Sequence, residues 1–588
     1  MSNLVFRGAR IVDGTGRAPF TADVAVTEGR ISEIGRVAAR GQREIDADGL
    51  LLTPGFVDVH THYDGQVTWD DALAPSFPHG VTTIVAGNCG VGFAPIRPGE
   101  DKRRELIELM EGVEDIPGTA LWEGIDWSWE SFGEYLDCID ARRYSMDVGT
   151  QITHGPVRAY VMGARGVNNE PATDDDIAKM ATICSEAVRT GALGFSTSRI
   201  LIHQSLSGAP VPGTFASDDE LGAIGRAVAE AGGTFQLAAG GTVGTGGFDF
   251  EEKEPELQDE IAWMERLSRE TGMPITYLLG QFATDPEAWR RGLRWTREAN
   301  ERGGHLFPQV AGRPAGLLTG FQTQHLFQRR PSYLKLADLP LEARIRELKR
   351  PEVRAAILAE QDEAPVSAVM ADNLHLIIDQ AIELVMPLGS PVDLEPPPET
   401  AVAAQARSTG VDPKERLYNL MCEDEGKALL LLPSLNYVDG NHDAIHEQLT
   451  HPDTILGLAD GGAHVASICD ASQPTYMLTH WARDRFRGEQ LPLEQVVKKQ
   501  TSEPANLYGL GDRGTIEVGK RADLNLIDFD RLTLPAPYAV RDLPAGGMRL
   551  LQDASGYAAT VVNGVVTREN DQDTGERPGR LIRGKRSN

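Results

Sequence analysis

The chain has 588 residues, of which 41% are hydrophobic, so it is long enough for a large core and more than one domain. Its formal net charge is -29, and an acidic surface repels nucleic acids and anionic membranes. We therefore expect neither nucleic-acid nor membrane partners. The five cysteines are scattered, which excludes a disulfide framework and, with no apolar signal segment in "MSNLVFRGARIVDG", predicts a cytoplasmic protein.

The two ends of the chain have a similar β-rich pattern. Apolar/polar alternation with Gly and Asp punctuation marks the first 50 residues, and the same pattern returns in "GTIEVGKRADLNLIDFD". "VVNGVV" places Asn-Gly between apolar pairs, which is a strong hairpin signal. We predict a small β-sandwich domain built from residues 1–54 and 505–588.

The middle of the chain alternates strand-like runs with helical stretches, the pattern of a parallel sheet with crossover helices. Eight strands are predicted, at 56–62, 82–90, 147–155, 192–199, 234–241, 274–281, 306–313 and 454–462. Polar or reactive residues at the strand ends favour a (β/α)8 TIM barrel over 55–504, with its active site at that face. The stretch 314–452 is too long for one loop and predicts a helical insertion before the last strand.

His60 and His62 follow the first of these strands. Their i, i+2 spacing places both side chains on one face of a strand, roughly 6.5–7 Å apart. The two imidazoles can therefore bind one ion, although a His-x-His pair alone is equally compatible with core packing. The position behind a buried strand favours the metal site.

Asp460 and Cys89 end two other predicted strands. Asp460 ends strand 8, where a carboxylate can bind a metal and take a proton, although it also suits a simple turn before Gly-Gly. Cys89 ends strand 2, where it is either a thiolate ligand or a buried apolar cysteine. Strands 1, 2 and 8 are neighbours in a closed barrel, which favours the ligand reading for both. His464 follows as a candidate supporting residue.

Several motifs together resemble one known family. "TPGFVDVHTHYD", "GVTTIVAGNCGVGFAP", "GALGFSTS", "GLADGGAH" and "TSEPANLYGLGDRGTIEVGKRADLNLID" resemble the D-aminoacylase (N-acyl-D-amino-acid deacylase) branch of the amidohydrolase superfamily. The resemblance implies a (β/α)8 barrel with a β-sandwich from both termini. It also implies zinc held by His60, His62 and Cys89, with Asp460 as the catalytic acid and base.

The sequence departs from the family pattern at strands 5 and 6, where the family has two zinc-ligand histidines. The matching positions here are Ala238 and Leu279. We therefore predict one zinc ion on His60, His62, Cys89 and Asp460, with a second ion only on unusual ligands. Two histidines are candidates to compensate or to contact substrate, namely His154 after strand 3 and His203 after strand 4, although either could instead be a structural histidine with satisfied hydrogen bonds.

Four further residues are predicted to contact substrate. Arg199 and Arg313 lie at strand ends, where a guanidinium can bind a substrate carboxylate, although both could equally be surface residues. Tyr277 and Gln281, on strand 6, are predicted to replace the lost ligands with hydrogen bonds. The predicted substrate is a small molecule, such as an N-acyl amino acid or a related amide.

The preferred function is metal-dependent hydrolysis of linear amide C–N bonds. One alternative is a hydrolase of cyclic amides or ureas, which the same chemistry allows. Another is a non-catalytic small-molecule-binding barrel that has lost metal ligands. A large hydrolase with an added insertion commonly self-associates, so a homo-oligomer is one expected state.

Overall fold

The computed structural model describes residues 2–242, 253–364, 373–389 and 391–584. The strands are β1 (Leu4–Ile11), β2 (Phe20–Thr27), β3 (Arg30–Gly35), β4 (Arg43–Asp46), β5 (Leu51–Pro54), β6 (Phe56–Asp58), β7 (Val81–Ala86), β8 (Asp147–Thr150), β9 (Ile152–Thr153), β10 (Gly194–Ser198), β11 (Thr234–Ala238), β12 (Ile275–Leu278), β13 (Leu306–Val310), β14 (Gly316–Thr319), β15 (Met386–Pro387), β16 (Leu430–Pro433), β17 (Ile455–Leu456), β18 (Leu524–Ile527), β19 (Tyr538–Val540), β20 (Arg549–Leu551), β21 (Tyr557–Val562), β22 (Val565–Glu569) and β23 (Gln572–Asp573).

The α-helices are α1 (Glu100–Glu114), α2 (Gly118–Gly124), α3 (Phe132–Asp140), α4 (His154–Met162), α5 (Ala164–Val167), α6 (Asp174–Thr190), α7 (Asp218–Glu230), α8 (Leu257–Thr271), α9 (Ala288–Glu301), α10 (Pro331–Leu334), α11 (Leu341–Leu348), α12 (Pro351–Ala359), α13 (Leu374–Gln380), α14 (Val402–Thr409), α15 (Pro413–Met421), α16 (Asp443–Thr450), α17 (Gln473–Tyr476), α18 (Leu493–Gln500) and α19 (Ser502–Leu507). A π-helix spans Met477–Asp484, and short 3-10 turns connect other elements.

Strands from both ends of the chain form one sheet. Its order is β23-β22-β21-β18-β5-β1-β2-β3, with β4 paired to β1, and β18 joins the two ends by pairing antiparallel with β5. Asn563 and Gly564 both have positive φ in the turn between β21 and β22, which is the backbone that an Asn-Gly hairpin requires. The hairpin predicted from "VVNGVV" is therefore confirmed.

The middle of the chain contributes two parallel sheets. One has the order β6-β7-β8 and the other β17-β13-β12-β11-β10-β9, and every pair within them is parallel. Only Gln151 separates β8 from β9, and a parallel bridge joins Thr61 to Gly461 beyond β6 and β17. The ends of β6, β7 and β17, which correspond to the predicted strands 1, 2 and 8, are thereby held next to one another.

Helices cover these sheets, and their capping follows the sequence. Thr173 and Ser217 accept backbone hydrogen bonds at the amino-terminal ends of α6 and α7, which each carry three acidic residues in the first turn. These acidic residues interact favourably with the helix dipole. No helix in the described ranges combines the length and apolar character needed to cross a bilayer.

The segment between β13 and β17 has a small core of its own. It contains α10–α16 and the sheet β14-β16-β15, and its apolar cluster includes Phe321, Leu348 and Tyr418. The Leu318 amide donates to the Ser467 carbonyl at 2.7 Å, which joins this insertion to the loop after strand 8. The insertion therefore lies beside the loop that carries Asp460 and His464.

Candidate metal centre

Two histidines after β6 and a cysteine after β7 converge. A ligand atom from each of His60, His62 and Cys89 lies within 4.8 Å of the others, and all three residues are buried. The period-2 alternation of extended backbone turns both imidazoles to one side, and their ring centroids are 5.3 Å apart. The three groups are therefore close enough to bind one ion together.

Asp460 completes the group from the other side. Its Oδ1 lies 3.4 Å from His60 Nε2 and 3.8 Å from His62 Nε2, while Cys89 Sγ lies 3.4 Å from His60 Nε2. The Asp460 amide also donates to the His60 carbonyl, so a main-chain hydrogen bond fixes the position of the segment after β17 relative to the segment after β6. The structure thus brings together the four residues proposed as ligands from the sequence.

The outward-facing ring nitrogen of His60 has a hydrogen-bond acceptor, and that of His62 has a carboxylate close by. His60 Nδ1 lies 2.6 Å from Gln309 Oε1, and His62 Nδ1 lies 3.1 Å from Glu114 Oε1. An acceptor at Nδ1 favours the tautomer with the proton on that atom, which leaves the Nε2 lone pair directed inward. The His60 ring is thereby oriented as a ligand toward Cys89, whereas His62 Nδ1 has the Glu114 carboxylate 3.1 Å away without the geometry of a hydrogen bond.

The main chain at this site is strained. Cys89, Asp460 and His464 have φ values of 55°, 48° and 46°, a region that residues with a Cβ rarely adopt. Such conformations cost about 1–3 kcal/mol each and concentrate at functional sites. The surrounding hydrogen bonds, including Cys89 N to Gln236 Oε1 at 3.1 Å, hold this backbone in place.

Burial sets the protonation of the site. It lowers the pKa of His60 to about 4, so the ring is neutral near pH 7. It raises the pKa of Asp460 to about 7. Burial, with the charges of Glu114 and Asp460, raises the pKa of the Cys89 thiol well above its ordinary value. A nearby divalent cation would reverse this tendency, because it stabilises the ionised thiolate and carboxylate.

Several buried polar atoms around the cluster lack a hydrogen-bond partner among the described residues. They include Asp58 Oδ2, Asp64 Oδ2, Gln236 Nε2 and Gln309 Nε2. Buried polar atoms are normally satisfied, so such a group marks a place for water or a ligand. Two imidazoles, a thiol and a carboxylate are also the donors that zinc prefers. The residues present therefore fit a metal ion.

The other side of Cys89 is apolar. Ala238 and Ile200 pack with Cys89 in one buried cluster, and Leu278 packs against it. The sequence assignment of Leu279 to the missing strand 6 ligand is wrong, because the Leu279 side chain contacts Gly292 of α9 instead. Successive side chains of a strand face opposite sides, so Leu278 is the residue that faces Cys89.

His203 lies at the edge of this cluster. Its Nδ1 is 2.8 Å from Ser198 Oγ. Burial, with the nearby rings of His464 and His60, lowers the pKa of His203 to about 3. Of the two histidines expected to compensate for lost ligands, His203 is the one that the structure places near the site.

His154 does not contribute to the cluster. Its Nδ1 lies 2.8 Å from Thr197 Oγ1 and its Nε2 lies 2.9 Å from Glu220 Oε1, so both ring nitrogens have partners. Arg158 pairs with the same Glu220 oxygen. Burial opposes ionisation of Glu220, but these partners outweigh it and lower its pKa to about 2. The expectation that His154 binds metal or substrate is corrected, because both nitrogens are engaged.

Neither predicted arginine is free for a substrate carboxylate. Arg199 Nε lies 2.7 Å from Glu260 Oε1. Arg313 lies 3.1 Å from Asp470 Oδ1 and is 2% exposed. Both guanidinium groups neutralise buried carboxylates of the chain itself, which corrects the prediction of a free cation at these strand ends.

Tyr277 and Gln281 are directed away from the cluster. The Tyr277 hydroxyl lies 2.6 Å from Thr296 Oγ1 of α9, so this side chain faces the helix layer. Gln281 Nε2 donates to Asp439 Oδ2 at 2.8 Å and ties strand 6 to the insertion. The expectation that they replace the missing ligands is therefore corrected.

Sequence reasoning missed the two groups that orient the histidines. Gln309 is a polar residue inside the buried strand "LFPQV", and that unusual position was an available signal. Glu114 ends an acidic, amphipathic helix in which nothing distinguishes it from its neighbours. Only the fold shows that it is 3% exposed and faces His62.

The fold is of the α/β class, and the buried donor set is a candidate metal site. A model of the amidohydrolase family matches residues 43–568, and the chain belongs to that family. An uncharacterized protein of Mycobacterium bovis is 25% identical over 98% of this chain and 93% of its own length. D-aminoacylase of Alcaligenes xylosoxydans xylosoxydans is 33% identical over 33% of this chain and 37% of its own length.

Solved structures share the fold. A crystal structure of D-aminoacylase has a TM-score of 0.63 and 21% identity, and covers 99% of this chain and 100% of its own. N-acyl-D-glutamate deacylase from Bordetella bronchiseptica, complexed with zinc and a phosphonate inhibitor, has a TM-score of 0.64 and 20% identity, with the same coverage. At these identities the likeness establishes the fold.

Proposed function

We propose that this protein is a metal-dependent hydrolase of linear amide C–N bonds, similar to the N-acyl-D-amino-acid deacylases. The two parallel sheets would form one (β/α)8 barrel over residues 55–504. Residues 1–54 and 505–588 would form the β-sandwich domain. The parallel pairing and the Thr61–Gly461 bridge support the barrel.

The observation that carries the proposal is the convergence on His60 Nε2, because Cys89 Sγ and Asp460 Oδ1 each lie 3.4 Å from that atom and His62 lies beside them. His60, His62, Cys89 and Asp460 would hold one zinc ion. When bound, zinc supplies a Lewis acid that polarises a carbonyl and lowers the pKa of water. Among the solved structures of this fold, the deacylase complexed with zinc supports this choice of metal.

Asp460 would transfer the proton. Its side chain is 23% exposed, whereas His60 and His62 are almost fully buried, so it lies on the accessible side of the group. Its carboxylate would accept a proton from the attacking water and return it to the leaving nitrogen, which lets one group act as base and then as acid. The hydrogen bond from the Asp460 amide to the His60 carbonyl, at 3.1 Å, holds this residue beside both imidazoles.

The remaining residues of the site would position these groups. Gln309 holds the His60 imidazole through Nδ1, Gln236 holds the backbone of Cys89, and Glu114 lies beside Nδ1 of His62, where it would support that ring. His203 and His464 are both shifted by burial to a neutral form, so they would offer substrate hydrogen bonds rather than a fixed positive charge. The names of two relatives, D-aminoacylase and N-acyl-D-glutamate deacylase, favour N-acyl-D-amino acids as the substrate class.

The test is a substrate screen on the full chain loaded with zinc. N-acyl-D-amino acids, their L-enantiomers and cyclic amides would be compared, and hydrolysis of a linear N-acyl-D-amino acid is expected. Asp460→Asn is expected to lower kcat about 10²–10⁴-fold, the range of general acid–base catalysis. The control Asp528→Asn changes a carboxylate in the terminal sheet region, outside the site, and is expected to retain activity. Full turnover by Asp460→Asn with zinc still bound would remove Asp460 from the mechanism.

A further inference from the structure

A second set of potential ligands lies outside the site described above. Glu395 and His442 belong to the long insertion, and His480 belongs to the π-helix Met477–Asp484. We call these three residues the insertion cluster. Their ligand atoms lie within 4.8 Å of one another, and Glu395 and His442 are buried. π-Helices are rare and are frequently found at functional sites.

The distances within the insertion cluster match metal coordination. Glu395 Oε2 lies 3.1 Å from His480 Nε2, and His442 Nδ1 lies 3.4 Å from His480 Nε2 and 3.8 Å from Glu395 Oε2. A tetrahedral zinc ion with bonds of about 2.0–2.1 Å separates its ligand atoms by about 3.3 Å. The three atoms therefore form one face of such a tetrahedron with only small adjustments.

The carboxylate of Glu395 is prepared for this role. Its Oε1 accepts from the His442 amide at 2.7 Å and from Arg485 at 3.1 Å, which uses both lone pairs of that oxygen. Its Oε2 accepts from Arg485 Nε at 3.1 Å and keeps one lone pair on the side of the imidazoles. Asp443 also binds Arg485 at 2.7 Å and shares its positive charge. Ligating carboxylates are commonly oriented by such outer hydrogen bonds.

Aromatic rings enclose the cluster. Tyr476 stacks on His480 with ring centroids 4.6 Å apart, and Trp481 lies against His442. The Tyr476 hydroxyl is 3.3 Å from His442 Nδ1, so it or a water would occupy the fourth position. His480 is 12% exposed at its side chain, which leaves an entry path for an ion.

We infer that Glu395, His442 and His480 form a second binding site for a zinc-class divalent ion. This ion would fasten the 314–452 insertion to the helix that follows Asp460, because two ligands come from the insertion and one from that helix. The inference concerns metal binding alone and stands whether or not the proposed hydrolase activity is confirmed.

The experiment measures zinc content of the full chain by mass spectrometry after equilibration with buffered Zn²⁺. His480→Gln and wild type are compared, with His446→Gln as the matched control. His446 lies one helical turn after His442, on α16, and its ring faces Glu489 rather than the insertion cluster. His480→Gln is expected to bind about one zinc per chain fewer than wild type, since it loses one of three protein ligands. His446→Gln is expected to bind as many as wild type.

A second measurement does not depend on a folded variant. Crystals of wild-type protein soaked in Zn²⁺ are expected to show anomalous density between Glu395, His442 and His480 as well as at His60 and His62. Equal zinc content in folded His480→Gln and wild type would overturn the inference. Density at His60 and His62 with none at the insertion cluster would also overturn it, and would leave a hydrogen-bonded network as the role of these residues.

Discussion

Glu114→Gln tests whether the carboxylate beside His62 supports metal binding. Glu114 is 3% exposed and lies 3.1 Å from His62 Nδ1 and 3.8 Å from His464 Nε2. Burial, with the charges of Asp460 and Asp64, raises the pKa of Glu114 well above its ordinary value, and a bound divalent cation would favour its ionised form. Glutamine keeps the size and one acceptor oxygen but cannot supply that charge to the His62 ring. Losing such an outer partner typically weakens metal affinity about 10–100-fold, or about 1.4–2.7 kcal/mol. Because the pair is buried, salt should change this loss little.

The assay for Glu114→Gln is competition for zinc against a chromophoric chelator, with circular dichroism as the check on folding. Glu105→Gln is the matched control, because Glu105 is on the same helix and pairs with Lys102 near the surface, 2.9 Å away. Surface pairs of this kind contribute about 0–1 kcal/mol. A zinc affinity of folded Glu114→Gln equal to that of Glu105→Gln would refute the proposed support of His62.

Three further changes have defined outcomes. Gln309→Leu removes the acceptor 2.6 Å from His60 Nδ1 and is expected to weaken zinc affinity about tenfold, measured by the same competition. Glu220, with its pKa lowered to about 2 from 4.5, stabilises the fold above pH 4.5 and loses that contribution as the pH falls toward 2. Glu220→Gln removes the ion-pair partner of Arg158, so it should lower the free energy of unfolding by at most about 3 kcal/mol at pH 7 and by progressively less below pH 4.5. Urea unfolding at pH 7 and pH 3 measures this, and an equal loss of stability at both pH values would contradict it. Arg513→Met removes a buried ion pair of 2.8 Å with Asp147 of β8. Because Arg521 still pairs with Asp147 at 2.7 Å, the expected cost is below about 3 kcal/mol, seen as a lower Tm by calorimetry; an unchanged Tm would show that the pair contributes nothing net.

The local pattern of the sequence was enough for much of the framework. Alternation around "FVDVHTH" predicted that His60 and His62 share a face, and Asn-Gly predicted the β21–β22 hairpin. Both depend on period-2 geometry or on φ preferences of one or two residues, which act over a few positions. The four-residue group also followed, because the ends of adjacent parallel strands meet at one edge of a sheet.

The errors at Arg199 and Arg313 have one physical cause. Arg199 and Arg313 were expected to be free, yet each binds a carboxylate that is far away in sequence, at Glu260 and Asp470. Burial of a charge demands a partner, and the partner is chosen by the packing of helices and loops on the strands. Residue type and strand position do not contain that information. For Leu279 the error was a register shift of one residue, which reverses the face of the side chain.

The sequence by itself determined the order of the elements, the pairing of the two ends of the chain and the identity of His60, His62, Cys89 and Asp460, because these follow from short-range periodicity and from motifs at strand ends. Only the tertiary structure decided which groups surround them. Glu114 reaches His62 because α1 ends beside strand 1, and Glu395, His442 and His480 meet because the insertion folds onto a π-helix. Such contacts join residues far apart in the chain, so they exist only once long-range packing has fixed the relative positions of the elements.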